Sequence, residues 1–199
     1  SNLGGGACYS LEALDEIAAV AKENGCATHI DGARIFNASI ATGVDVARMC
    51  RDYDSVSICL SKGLGAPVGS VLVGSQEFIN KAHRWRKMFG GGWRQAGVLA
   101  AACLHALDHH VERLAEDHTR ARKVAEAINA MDNFSIDLDA VQSNLVYVNC
   151  NIPAADLVVS LAEHGIDMFD LPYNRVRVAI HLHITDEDVD RIIAAFAAQ

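Results

Sequence analysis

Two short apolar runs, each ending on polar residues and a glycine, do most to limit what this chain can fold into. The first, residues 26–30, runs into Asp31-Gly32, and the second, residues 55–60, runs into Ser61-Lys62-Gly63. Runs this short that are mostly apolar, without strict alternation, are the mark of strands buried on both faces of a parallel sheet. Helical stretches at residues 35–42 and 44–50 lie between them, so the order is β-α-β. Parallel strands joined by right-handed crossovers bring their C-terminal ends to one edge, where open α/β sheets build their sites. Asp31 and Lys62 are therefore expected to face one crevice.

The remaining elements follow from periodicity and punctuation. Ser10 caps a helix that keeps Leu11, Leu14, Ile17, Ala18 and Ala21 on one face and stops at Gly25. Residues 68–74 read as another strand and residues 76–88 as a helix running into Gly90-Gly91-Gly92, a loop expected to need a partner or ligand to stay ordered. Two long stretches, residues 95–110 and 111–131, are rich in Ala, Leu, Glu and Arg and contain no proline. After Asp132-Asn133 the texture becomes strand (144–149), helix (154–164), strand (176–180) and a last helix opened by Thr185. There Thr185-x-x-Asp188 has the form of a capping box, and Val189, Ile192, Ile193 and Phe196 share one face. The fold class is α/β, with a large domain over residues 1–130, its sheet mainly parallel and its last helices connecting, and a small α+β domain over residues 131–199. There is no internal repeat or low-complexity linker.

Composition narrows the function classes. The 51% hydrophobic and 21% charged residues, with a mean hydropathy of +0.13, supply a real core and exclude disorder as the dominant state. Lys and Arg number 17 against 25 Asp and Glu, and a net charge of −8 without a basic run argues against nucleic acid as a partner. No stretch approaches the roughly 18 apolar residues that span a bilayer, so no membrane partner is expected. The six cysteines contain no C-x-x-C pair and read as reduced thiols in a cytoplasmic setting. The chain opens on Ser1-Asn2-Leu3-Gly4-Gly5-Gly6 with neither an initiator Met nor a signal peptide, and reads as the middle of something longer.

A lysine at the end of an apolar strand, flanked by a hydroxyl residue and glycine, is unusual because an ammonium is costly to bury unless its charge is used or its proton lost. Deprotonated, it is an amine nucleophile able to form a Schiff base with pyridoxal phosphate. An aspartate one β-α-β unit earlier suits the protonated pyridine nitrogen. A surface lysine in a turn is the plainer alternative. Gly63-x-Gly65 with Gly69 lacks the dinucleotide spacing and leads into a strand where a helix is required, and no Walker A motif is present. His105 with His109 and His181 with His183 have pairwise metal-ligand spacing without a third ligand, and read as packing or surface histidines; no metal is expected. Arg84-Trp85-Arg86-Lys87, with Arg94 beyond the glycines, is either a solvated helix end or an anion site.

Three ordered segments carry a resemblance: residues 29–38 (His-Ile-Asp-Gly-Ala-Arg-Ile-Phe-Asn-Ala), residues 61–70 (Ser-Lys-Gly-Leu-Gly-Ala-Pro-Val-Gly-Ser) and residues 90–95 (Gly-Gly-Gly-Trp-Arg-Gln). Together they resemble the low-specificity L-threonine aldolases of the β-eliminating lyase group, which are fold type I pyridoxal phosphate enzymes. Residues 113–118, 144–148 and 176–181 are also similar to that family, so the likeness spans the chain. The resemblance implies that Lys62 carries pyridoxal 5'-phosphate and Asp31 pairs with its ring nitrogen, while Arg34 and Arg177 hold the substrate carboxylate. It implies too that Lys87 and Arg94 reach a neighbouring subunit's active site, hence a homo-oligomer, dimer or tetramer. Arg34 and Arg94 thereby count among the cofactor contacts and Lys87 among the substrate contacts.

The implied reaction is retro-aldol cleavage of L-threonine or L-allo-threonine to glycine and acetaldehyde, a step of amino-acid metabolism. Ala179-Ile180-His181-Leu182-His183 stands where the family has Val-Thr-His-Leu-Asp, which alters substrate placement beside Arg177. The family also has a long N-terminal portion with phosphate-loop residues, a ring-stacking histidine and a serine near the carboxylate. Without that portion the chain is expected to be either a fragment or impaired, binding the cofactor weakly. Two rival readings remain: another fold type I lyase or aminotransferase on the same cofactor, and a non-catalytic remnant or binding module.

Overall fold

A computed structural model describes residues 5–199. The chain divides into two compact units, Tyr9–Glu112 and Arg113–Gln199, the latter joined by the N-terminal residues up to Cys8.

In the first unit, helix α1 (Leu11–Glu23) starts where Ser10 Oγ accepts the Ala13 N–H, and the chain turns out of it through Gly25 at φ +64°. Strand β1 (His29–Asp31) leads to α2 (Ile35–Thr42), which ends on the left-handed Gly43, and to the short α3 (Val46–Cys50), capped by Asp45. Strand β2 (Ser55–Cys59) follows, then β3 (Ser70–Gly74), α4 (Gln76–Met88, capped by Ser75) and α5 (Gly97–His109). The sheet order is β1-β2-β3. β1 runs parallel to β2, but β3 runs antiparallel to it, so the parallel character expected of this sheet is carried by the first pair alone. A small core of Ile35, Met49 and Val56 seats α2 and α3 on the sheet. Both guanidinium NH groups of Arg48 on α3 hold the Asp15 carboxylate of α1.

Strand limits differ from the sequence pattern for local reasons. Residues 26–28 do not enter the ladder, because Thr28 gives its N–H (2.7 Å) and its hydroxyl (3.0 Å) to the Asp54 carboxylate instead. β3 begins at Ser70, since Gly69 at φ +119° interrupts the extended run and its carbonyl accepts the Leu60 N–H. Gly90-Gly91-Gly92 folds back on the end of α4: the Gly91 N–H reaches the Arg86 carbonyl at 2.8 Å, so the expected need for a partner is met by the helix itself.

The second unit begins with α6 (Leu114–Asn129), followed by β4 (Phe134–Ser135), a 3-10 turn (Leu138–Ala140), β5 (Leu145–Cys150), α7 (Ala154–Glu163), β6 (Asp170–Leu171), β7 (Arg175–Ala179) and α8 (Asp186–Ala197). The strands form an antiparallel sheet in the order β4-β5-β7-β6. Val124 and Ile128 of α6, Val146 and Val148 of β5, and Val189 and Phe196 of α8 lie in one buried cluster. Phe196 meets Phe134 edge to face at 5.1 Å. The capping box at Thr185 is present in full. α6 turns its apolar face to this core, and the second compact unit begins at Arg113. Among the described residues no helix is long and apolar enough to cross a membrane.

Candidate active site

β1 and β2 are in parallel register with Asp31 opposite Ser57, so both strands deliver their C-terminal ends to one edge of the sheet. Asp31 is the last residue of β1 and exposed; its Oδ1 accepts the Ala33 N–H at 3.2 Å. Gly32 then passes so close to β2 that its N–H meets the Ser57 carbonyl at 2.8 Å. Arg34 follows at the start of α2, half-buried.

Lys62 lies in the loop that leaves β2. The loop closes on itself through Gly65 N–H to Lys62 O (2.9 Å) and Ala66 N–H to Leu60 O (3.0 Å). Leu60, Leu64 and Ala66 are buried, while Lys62 is exposed and its side chain makes no hydrogen bond or ion pair among the described residues. Cys59, at the end of β2, is hydrogen-bonded to Ser61 Oγ at 3.3 Å. Burial pushes this thiol up, but its hydrogen bonds to Ser61 and Ser70 and the charge of Lys62 outweigh burial and hold it below its ordinary value.

Lys87, in the last turn of α4, and Arg94, in the turn before α5, are exposed on the same unit. The glycine loop packs tightly against α4: a Cβ on Gly92 would lie 2.6 Å from Lys87 Cδ, and one on Gly91 3.0 Å from Arg86 Cγ. Arg177 belongs to the second unit. It stands directly opposite Tyr147 in the β5–β7 pair and lines a cleft of about 350 Å³ with Ile166, Met168, Phe169, His181 and Ile184. The His183 N–H points to His181 Nδ1 at 3.4 Å.

Lys62, Asp31, Arg34, Lys87 and Arg94 thus share one unit and Arg177 the other. Sequence reasoning missed two neighbours. Arg175 lies over the rings of Tyr147 (5.7 Å) and Tyr173 (5.4 Å) on the Arg177 face of the strand. His110 reaches the Leu64 carbonyl beyond Lys62 at 2.7 Å. Neither contact has a local sequence signal. Among the described residues no group of three or more His, Cys, Asp or Glu side chains is placed to hold a metal ion, although the His105 and His109 rings lie 4.5 Å apart.

The chain superposes on a putative L-allo-threonine aldolase from Listeria monocytogenes EGD-E with a TM-score of 0.84 at 20% identity, covering 100% of this chain and 59% of that one. The architecture is part of the fold type I fold that this chain and the Listeria chain share. Residues 1–151 match the family model described as beta-eliminating lyase, and the chain belongs to that family. It is 45% identical over 196 residues to a probable low-specificity L-threonine aldolase 2 of Arabidopsis thaliana, covering 96% of this chain and 55% of that protein. To a low specificity L-threonine aldolase of Escherichia coli K12 it is 39% identical over 198 residues, with 99% and 58% covered. The chain therefore spans about half the length of the curated relatives it matches.

Proposed function

We propose that this chain forms the lysine-bearing part of a pyridoxal phosphate-dependent carbon-carbon lyase that cleaves L-threonine and L-allo-threonine to glycine and acetaldehyde. The observation that carries the reading is an exposed Lys62 side chain in the loop leaving β2, at the sheet edge where β1 ends on Asp31. The relatives' names and the family membership support it. An amine nucleophile and a carboxylate with one oxygen uncommitted are the donor set that such a cofactor needs. When bound, pyridoxal phosphate supplies an electron sink conjugated to the substrate Cα.

The chain's own residues do the rest. Lys62 Nζ would hold the cofactor covalently, the amine being the nucleophile that such a group requires. The Asp31 carboxylate would pair with the ring nitrogen by charge-assisted hydrogen bonding and favour its protonated form. Arg34 would bind the substrate carboxylate and so help to choose which Cα bond breaks, the role that the resemblance also implies for Arg177. Lys87 and Arg94 serve the neighbouring subunit's site in a cytoplasmic homo-oligomer, dimer or tetramer. The exposed Trp85, Met88, Phe89 and Trp93 around them are the apolar surface that such an assembly would cover.

The test loads the chain, alone and together with the N-terminal half of a longer relative, with pyridoxal phosphate and reduces it with borohydride. The label is expected on the Lys62 peptide, with acetaldehyde and glycine released from L-threonine by the complemented protein. Label on Lys81, Lys87 or Lys123, or a keto acid as product, would overturn the reading.

A further inference from the structure

We infer that His110 is a positioning residue for Lys62, fixing the loop that presents the lysine by a hydrogen bond to the loop's inner carbonyl; this rests on the reading of Lys62 as the cofactor-bearing residue. The loop between β2 and β3 contains Gly63, Gly65 and Gly69, two of them at positive φ (+73° and +119°), so its backbone has more freedom than a strand end can control. Three backbone hydrogen bonds close it: Leu60 to Gly69, Ala66 to Leu60, and Gly65 to Lys62. None of them ties the loop to another element. Helix α5 does, through His110, with Nδ1 2.7 Å from Leu64 O, and more weakly through Cys103, whose Sγ lies 3.6 Å from Val68 O.

A carbonyl oxygen only accepts, so Nδ1 must carry the proton. The donor is well braced. His110 caps α5, its own N–H bonds to the Ala106 carbonyl at 2.9 Å, and Ala106 is 1% exposed. The His105 ring stands edge-on to it at 5.3 Å, limiting how the imidazole turns. On the loop side, the Leu64 side chain is buried as well, so the residue two beyond Lys62 is gripped by both its carbonyl and its side chain. A lysine amine rides on a flexible four-carbon stem, and its reach is set by where its backbone is held. His110 supplies that hold from a residue 46 positions away.

Two variants separate this role from packing. His110→Leu keeps bulk and removes the donor, whereas His110→Asn keeps an N–H near the place of Nδ1. In unloaded protein, deuterium exchange at the Gly65 and Ala66 amides is expected to rise about tenfold in His110→Leu, the effect of losing one hydrogen bond between neutral groups, and to stay near the parent in His110→Asn. In protein complemented as above and exposed to millimolar pyridoxal phosphate, borohydride trapping at Lys62 should slow about tenfold in His110→Leu and recover in His110→Asn. Unchanged exchange, faster exchange with unchanged trapping, or His110→Asn behaving like His110→Leu would each overturn the inference. Failure of the parent itself to trap the cofactor on Lys62 would overturn the cofactor reading and this inference with it, and is told apart because it shows without any substitution.

Discussion

Gly32 gives its N–H to the Ser57 carbonyl at 2.8 Å and comes so close to β2 that a Cβ on it would lie 2.9 Å from that oxygen and 3.1 Å from Val56 Cγ1. The residue after Asp31 is therefore glycine because β2 leaves no room for a side chain. Gly32→Ala should push β1 away from β2, costing about 2 kcal/mol in the denaturation midpoint and displacing Asp31. Cofactor affinity should fall with it. An unchanged midpoint would show that β1 shifts freely and that the close approach constrains nothing.

Arg177→Ala should separate substrate binding from cofactor retention. Charged hydrogen bonds are each worth roughly 1.5 to 3 kcal/mol, so if Arg177 holds the substrate carboxylate as proposed, its loss should lower kcat/KM for L-threonine in the complemented protein on the order of a hundredfold. Cofactor absorbance should remain at the parental level. Unaltered kinetics would remove Arg177 from the site.

Asp117 is fully buried at the start of α6 and is held by two NH groups of Arg113, whose side chain is 15% exposed. Arg113→Leu strands that carboxylate in the core and should cost about 3 to 5 kcal/mol, whereas adding Asp117→Leu should restore much of the loss. Urea unfolding of the single and double variants decides it: equal stability of the two would mean that the pair is not coupled.

Acid should loosen the first unit through Asp54. The Thr28 backbone N–H, and next its hydroxyl, hold this carboxyl below the ordinary carboxylate range. A group depressed in the folded state binds fewer protons there than when unfolded, so its contribution is complete above the ordinary value and disappears as pH falls through the folded one. Melting followed from about pH 6 down to pH 2 should show a shallower acid limb for Asp54→Asn than for the parent. Identical limbs would exclude Asp54 as a source of the slope.

How much of this was legible in the sequence depends on how local the signal is. Ser10, Ser75 and Thr185 are caps whose chemistry acts within three residues, and the helices that they open lie close to where the pattern puts them. Asp31 and Lys62 could be named because a β-α-β order dictates which strand ends converge. Strand limits were less legible, since Thr28 takes a side-chain partner 26 residues away in place of a ladder bond. The pairing of Tyr147 with Arg177 depends on register, and the His110 contact depends on where α5 ends against the Lys62 loop. No local pattern encodes either.

The antiparallel turn-back of β3 gives the small sheet two unlike rims. At one rim Asp31, Cys59 and Ser70 gather with the Lys62 loop; at the other Thr28, Asp54 and Gly74 are clamped together, and a Cβ on Gly74 would meet the Asp54 carbonyl at 3.0 Å. Sequence distance hides this, since Ser70 and Gly74 are neighbours in one strand yet belong to opposite rims. A saturation scan of residues 28–74 should therefore sort by rim: substitutions of the exposed Asp31 and Lys62 at the first deplete turnover in protein that still melts normally, and those at the second deplete the amount of folded protein while sparing turnover per surviving molecule.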